Sequence, residues 1–343
     1  MKKTLIALAA VAATGAAFAQ SSVTIDGAVD LGLVKPIIAN TAANALVTKS
    51  DARLDATNGA NQIRFLGTED LGGGLKAHFT LAQRFSPESG GNDGSTFARP
   101  TFQGESTVGL SGGFGAVKLG RALTAFQGPV NTTDPWGTLQ QASTAVLTSG
   151  YTTDKENNAD SAGLGRTDAI HYTSPRFGGF SAGVSYGFKQ HANSAAVLPA
   201  GTQNLTSLWA SYGAGPLYIG GGVESNRQDD QITAILATYN LGFMTIGGGF
   251  SQVDIKTESA TSFDRKAWNI MAVAPVGPVV IKAGYGVSEA DATGDKVVKK
   301  LGLGVDYMLS KRTKIYASYG NDKGLGTKDG LRTGYDLGIR HTF

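Results

Sequence analysis

The chain has 343 residues, enough for one large or two ordinary domains, and its 48 glycines against 10 prolines, with no cysteine, describe a turn-rich β protein without disulfides or thiolate metal sites. Its four histidines, His78, His171, His191 and His341, show no HExxH spacing, so neither a metal nor a cofactor is expected. A formal charge of +3, with both signs scattered along the chain, excludes a nucleic-acid binder, which would gather Lys and Arg on one face.

Residues 1–19 read as a secretory signal peptide: Lys2 and Lys3, an apolar run from Leu5 to Phe18, then Ala17-Phe18-Ala19 before Gln20. The apolar run, about 14 residues, falls short of the roughly 20 that a spanning helix needs. Its removal takes the 30 basic residues to 28 against 27 acids, so the mature chain is nearly neutral.

From Gln20 onward one unit recurs: about ten residues of alternating character, a short turn, another such segment, then a longer polar loop. Short turns are expected at Leu71 to Gly74, Gly112 to Gly115, Arg176 to Gly179, Ala214 to Pro216, Leu241 to Phe243, Val276 to Pro278 and Leu309 to Arg312. With the terminal segments they imply about sixteen strands. The expected fold over 20–343 is therefore all-β, a 16-stranded antiparallel transmembrane β-barrel. A longer interruption, residues 122–165, stands out as functional by its length.

The alternation is clearest late in the chain. Phe180, Ala182, Val184, Tyr186 and Phe188 alternate with Ser181, Gly183, Ser185, Gly187 and Lys189; Leu301, Leu303, Val305 and Tyr307 alternate with Gly302, Gly304 and Asp306; Tyr335, Leu337, Ile339, His341 and Phe343 alternate with Asp336, Gly338 and Arg340. Period two puts one set on lipid and the other on the lumen. Aromatics beside the short turns, among them Phe114, Phe177, Phe180, Tyr212, Tyr218, Tyr239, Phe243 and Tyr307, are expected to form an interfacial girdle. In hydrocarbon every backbone N–H and C=O must be satisfied, so the sheet must close. A barrel this wide leaves water in its lumen.

The same parity assigns a basic wall. Arg64 faces the lumen opposite in parity to Ile63 and Phe65; Lys76, His78 and Arg84 do so against Phe79 and Leu81; Lys118 does so against Val117 and Leu119. Arg121 shares the parity of Leu119, so an inward Arg121 requires a bulge at Gly120 or a position above the membrane rim. No nucleophile stands beside a base. His171, Asp168 and Ser174 lie on one short strand whose alternating directions keep them apart, so no enzyme is expected.

Several stretches carry a resemblance. Gly67-Thr68-Glu69-Asp70-Leu71-Gly72-Gly73-Gly74-Leu75, Val108-Gly109-Leu110-Ser111-Gly112, Tyr172-Thr173-Ser174-Pro175, Leu309-Ser310-Lys311-Arg312-Thr313 and the ending Gly338-Ile339-Arg340-His341-Thr342-Phe343 resemble the Gram-negative general porins of the betaproteobacterial type. That resemblance implies a homotrimer in the cell outer membrane, among outer-membrane lipid and lipopolysaccharide. It also implies short periplasmic turns, long outer loops and a third loop, Ala122 to about Gly165, folded into each lumen. The function implied is passive diffusion of small hydrophilic solutes and ions, with a substrate-specific channel for a sugar, phosphate or organic acid as the alternative. Asp134-Pro135-Trp136 resembles the family's constriction stretch, so Asp134 is expected to face the basic wall of Arg64, Lys76, Arg84, Lys118 and Arg121. Asp154, Glu156 and Asp160 are further acids on that loop. More bases than acids there predict a weak anion preference. The last strand, from Tyr335 to the terminal Phe343, is the implied signal to the barrel-assembly machinery, and the Phe343 carboxylate is expected to meet the new amine of Gln20.

Overall fold

The alternating segments become strands that close on themselves in a computed structural model, which describes residues 21–40, 46, 48–57, 59–92, 101–138, 140–153, 165–189, 203–256 and 263–343. The signal segment 1–19 lies outside the described residues. The first half of the barrel comprises β1 (Ser22–Lys35), β2 (Gln62–Gly72), β3 (Leu75–Ser86), β4 (Glu105–Gly112), β5 (Gly115–Leu123), β6 (Arg166–Thr173), β7 (Phe180–Gly187) and β8 (Leu205–Ala214). The second half comprises β9 (Leu217–Ser225), β10 (Gln231–Asn240), β11 (Thr245–Asp254), β12 (Arg265–Val276), β13 (Val279–Ala290), β14 (Lys296–Met308), β15 (Thr313–Asp322) and β16 (Thr333–Thr342). Two shorter strands, Arg53–Asp55 and Gly91–Asn92, extend the loops.

Every neighbouring pair is antiparallel, and β1 closes the ring by dividing its length. Its first half, Ser22 to Ala28, pairs with β2, and its second half, Ala28 to Lys35, pairs with β16. Staggered closure of this kind lets the sheet seal without an open edge. The expected short turns all join consecutive strands. Ala214-Gly215-Pro216 shows why, since Gly215 takes φ 54°, a conformation that L side chains resist.

Phe343 lies opposite Gly27, exchanging backbone hydrogen bonds of 3.1 Å in both directions. The expected partner Gln20 falls outside the described residues, and the register sends the start of β1 toward β2 instead of toward the chain end.

The outer face is apolar as expected. Val184, Tyr186, Leu301, Leu303, Val305, Tyr307, Leu337 and Ile339 are exposed, while Ser185, Asp306 and Asp336 between them are buried. Phe114, Phe177, Phe180, Tyr239 and Phe243 are exposed beside short turns, and Phe180 packs on Tyr212 at 4.6 Å. Tyr218 departs from the expected girdle. It is opposite Gly213 in register, while its neighbour Ile219 is exposed, and its ring packs inward on the barrel's internal core. Nearness to a turn suggests the girdle, but parity decides the face.

Candidate pore constriction

The segment after β5 turns into the barrel instead of away from it. Strand β5 extends through Ala122 and Leu123, so the interruption runs over 124–165, of which 124–138, 140–153 and 165 are described. Phe126, Val130, Leu147 and Tyr151 from this segment bury themselves against Trp209 of β8, Ile232, Ala234 and Leu236 of β10, and Val253 of β11. Those three β10 residues make an inner face apolar where the alternation calls for polar groups. The segment they bury explains the exception. Phe126 meets Trp209 edge-on at 5.5 Å, a favoured aromatic geometry.

Polar anchors hold the rest. The Ala125 and Phe126 amides donate to Ser185 Oγ and Ser207 Oγ at 2.9 and 3.0 Å. Thr124 and Thr153 both donate to the fully buried Glu224 carboxylate. Asn269 donates to the Thr133 and Thr144 carbonyls at 3.2 Å each, and Ser251 donates to the Leu147 carbonyl at 2.7 Å. Gln140 Nε2 and the Gln141 amide donate to the Asp336 carboxylate at 3.1 and 2.8 Å. Burial, together with the Glu224 and Asp230 carboxylates, pushes the Tyr151 phenol well up, so it stays protonated.

Glycines on the inner wall make room for this contact. A Cβ at Gly284 would lie 2.8 Å from both Thr144 Oγ1 and the Trp136 ring, and one at Gly286 would lie 3.0 Å from the Val146 methyls. At Gly302 and Gly320 it would overlap the Ala142 and Gln141 carbonyl oxygens. The absent side chains of β13 to β15 thus form the seat of the segment.

The opposite wall, β2 to β5, stays charged. Arg64 holds Asp26 in a two-pronged pair, both bonds 2.6 Å. In register, Arg64 faces Ala82, Ala82 faces Glu105, and Glu105 accepts from Lys118 Nζ at 3.0 Å. Arg84 stands at the long-loop end of β3, opposite Gln62. Lys118 shares its row with His171 and, across Gly109, with His78.

Arg121 finds its place without the bulge. The pairing of β5 with β4 and β6 passes Gly120 without a shift, so no bulge forms. Gly120 instead takes φ 121°, and Arg121 donates to the Gln103 and Arg166 carbonyls at 3.2 and 3.4 Å. A side chain at Gly120 would strike the Ser106 carbonyl. Arg121 therefore finds backbone oxygen at the strand end, not hydrocarbon.

Arg166 escapes a parity reading. It opens β6 on the face of Asp168 and Ile170, yet stands within electrostatic range of Arg84, Arg121 and Glu105. Gly165, at φ 59°, precedes it and redirects the chain there. Lys76, by contrast, does not join this group. It sits just past the Gly73-Gly74 turn, eight residues and so about 26 Å along β3 from Arg84.

Asp134 is turned into its own segment. Its carboxylate accepts from the Thr138 amide, Ser143 Oγ and the Thr144 amide at 2.7, 2.9 and 2.8 Å, and it is buried. Its charge organises the fold of the loop and also reaches Lys300 on β14. Asp154, Glu156 and Asp160 lie outside the described residues. The described residues exposed along the loop are Gly128, Thr132, Gly137, Thr138 and Gly150, all uncharged.

Comparison with known proteins agrees with this geometry. A family profile described as Gram-negative porin matches residues 4–327. Outer membrane porin protein 32 of Delftia acidovorans is 34% identical over the whole of both chains, and an outer membrane porin protein of Bordetella pertussis is 27% identical, again over the whole of both. Among solved structures, an anion-selective porin from Comamonas acidovorans superposes with a TM-score of 0.76 at 27% identity, covering 94% of this chain and all of that one.

Proposed function

Because the chain belongs to the Gram-negative porin family and forms a passive channel across the outer membrane, we propose that this channel prefers anions and that its narrowest part lies between the β2–β5 wall and the segment 124–165. One observation carries the reading. Arg64, Arg84, Arg121, Arg166 and Lys118 belong to one side of the barrel, while residues 124–153 opposite contain a single charged residue, Asp134, whose carboxylate is occupied by loop donors. Asp26 and Glu105 neutralise part of the basic wall, and the remaining excess is positive. At an effective dielectric near 20, two unit charges about 5 Å apart interact by roughly 3 kcal/mol, against under about 1 in bulk water. Ion sorting is therefore concentrated where the channel is tightest.

The physiological assembly in this reading is a homotrimer, among outer-membrane lipid and lipopolysaccharide. The exposed aromatics Tyr335 and Phe343 at the end of the chain address the barrel-assembly machinery. Lys76 belongs to the short-turn vestibule and not to the constriction.

The test is the reversal potential of purified, refolded protein in planar bilayers under a potassium chloride gradient. Potentials of the sign set by chloride support the assignment. A potential set by potassium overturns it.

A further inference from the structure

Beneath the start of the folded segment lies a cleft of about 550 Å³ that borders the basic wall at Lys118 and Arg166 and whose short-turn end the ion-sorting argument does not use. Its roof is Thr124 to Ala125 and Gly128-Pro129, and its walls come from β4 to β9. Three cations line it, Lys118, Arg166 and Arg176, against one carboxylate, Glu105, which is already engaged by Lys118. Arg176 differs from the other two. It belongs to the short turn between β6 and β7, is exposed, and makes no hydrogen bond or ion pair with any described residue.

Arg176 is also placed beside an aromatic ring. A Cβ at Gly213 would lie 3.5 Å from Arg176 Nη1 and 3.7 Å from Tyr218 Cδ2, so a guanidinium and a phenol ring flank the same bare stretch of backbone. Behind them, Ser181 and Ser211 share a hydrogen bond of 3.0 Å, and the buried ring of Trp209 closes the back of the cleft. The cleft thus offers a charged donor at its short-turn end, hydroxyls along one side, and an apolar lining of Ala116, Ala182 and Pro129. A volume of this size lies within the range of small-molecule sites, and pockets with a few fixed polar groups on an apolar lining hold solutes in one orientation.

We propose that this cleft is a binding station for small aromatic carboxylates on the short-turn side of the constriction, with the carboxylate on the guanidinium of Arg176 and the ring against Tyr218. The inference rests on the anion-conducting reading above and adds to it a preference by body as well as by charge. Planar guanidinium matches carboxylate geometry with two parallel donors, and the aromatic ring rewards a flat apolar body that acetate lacks. A solute held there resides longer in the channel than a simple ion does, and its passage becomes saturable.

Benzoate is the probe, titrated into planar bilayers that already carry the protein's potassium chloride current. That current, recorded before any addition, tests the channel by itself. Benzoate is expected to produce saturable, transient blockades at concentrations at least about tenfold lower than acetate. Arg176→Gln is expected to weaken the benzoate effect about tenfold, and Tyr218→Leu about threefold to fivefold. Addition on the short-turn side should block faster than addition on the other side. A steady chloride current without benzoate blockades, or equal action of acetate and benzoate, would overturn the station and leave the channel standing. Wild-type benzoate affinity in Arg176→Gln would do the same. Absence of any current would instead remove the channel reading on which it rests.

Discussion

The two sides of the lumen are made from the same kind of strand yet obey different rules. Along β8 to β15 the inner face is shaped to receive the segment: Trp209, Ile232 and Leu236 are buried beside polar anchors such as Glu224 and Asn269, and Gly284, Gly286, Gly302 and Gly320 leave space for a second layer of chain. Along β2 to β5 the inner face carries Arg64, Arg84 and Lys118, and the buried apolar cluster does not extend over them. The glycine-rich side behaves as a small protein interior, in which contacts determine stability. The basic side behaves as a wet surface, in which charge determines traffic.

Substitutions should separate these behaviours. The largest effect is expected from Phe126→Ala, which removes a fully buried ring and should cost the docked segment about 3–5 kcal/mol. Limited proteolysis should then cut within 124–153 while the barrel keeps its resistance to detergent denaturation. Loss of the whole barrel would show that the two layers are a single cooperative unit. Next comes Gly320→Val, whose side chain collides with the Gln141 carbonyl and should cost about 1–3 kcal/mol by overpacking. A wider channel follows, read as a larger polyethylene glycol admitted in exclusion measurements. Unchanged exclusion would mean that the seat does not set the bore.

Asn269→Ala should act in the same direction at a similar cost, about 1–3 kcal/mol, because the Thr133 and Thr144 carbonyls lose their donor. Current noise at fixed voltage reports it. On the other wall, Arg64→Gln removes a half-exposed pair and should change stability by under about 1 kcal/mol. The same variant should move the reversal potential toward zero. A large fall in thermal stability with unchanged selectivity would reverse the roles assigned to the two walls. The smallest perturbation is salt. Raising potassium chloride from about 0.1 to 1 M shortens the screening length from about 10 to 3 Å, so anion preference should shrink without any change in the bore.

Much of this architecture is legible in the residues themselves, because period two fixes the face of each side chain and Gly-rich turns fix the hairpins. Strand β14 illustrates it, with Leu301 to Tyr307 outward and Asp306 inward as expected. Parity gives direction but not height, which is why it groups Lys76 with Arg84 although the strand's rise separates them. Nor does it report what stands opposite. Ile232 and Leu236 break the inner pattern for a partner more than eighty residues away in the chain, and Asp134 turns to hydroxyls and amides of its own loop. Arg166 escapes sequence reasoning because a glycine with φ 59° redirects the chain just before it. A local irregularity of that kind leaves the alternation of β6 intact.

The glycine seat has a consequence for the order in which the molecule is completed. Trp136, Ala142, Thr144 and Val146 rest on β13 and β14, which are synthesised long after the segment they receive. An incomplete sheet that lacks those strands offers no resting place for this stretch, so its inward docking must follow the arrival of the C-terminal strands. The aperture is therefore the last thing to be narrowed. Until then only the two ends of the segment, Phe126 and Val130 on one side and Leu147 and Tyr151 on the other, have an inner wall to rest on.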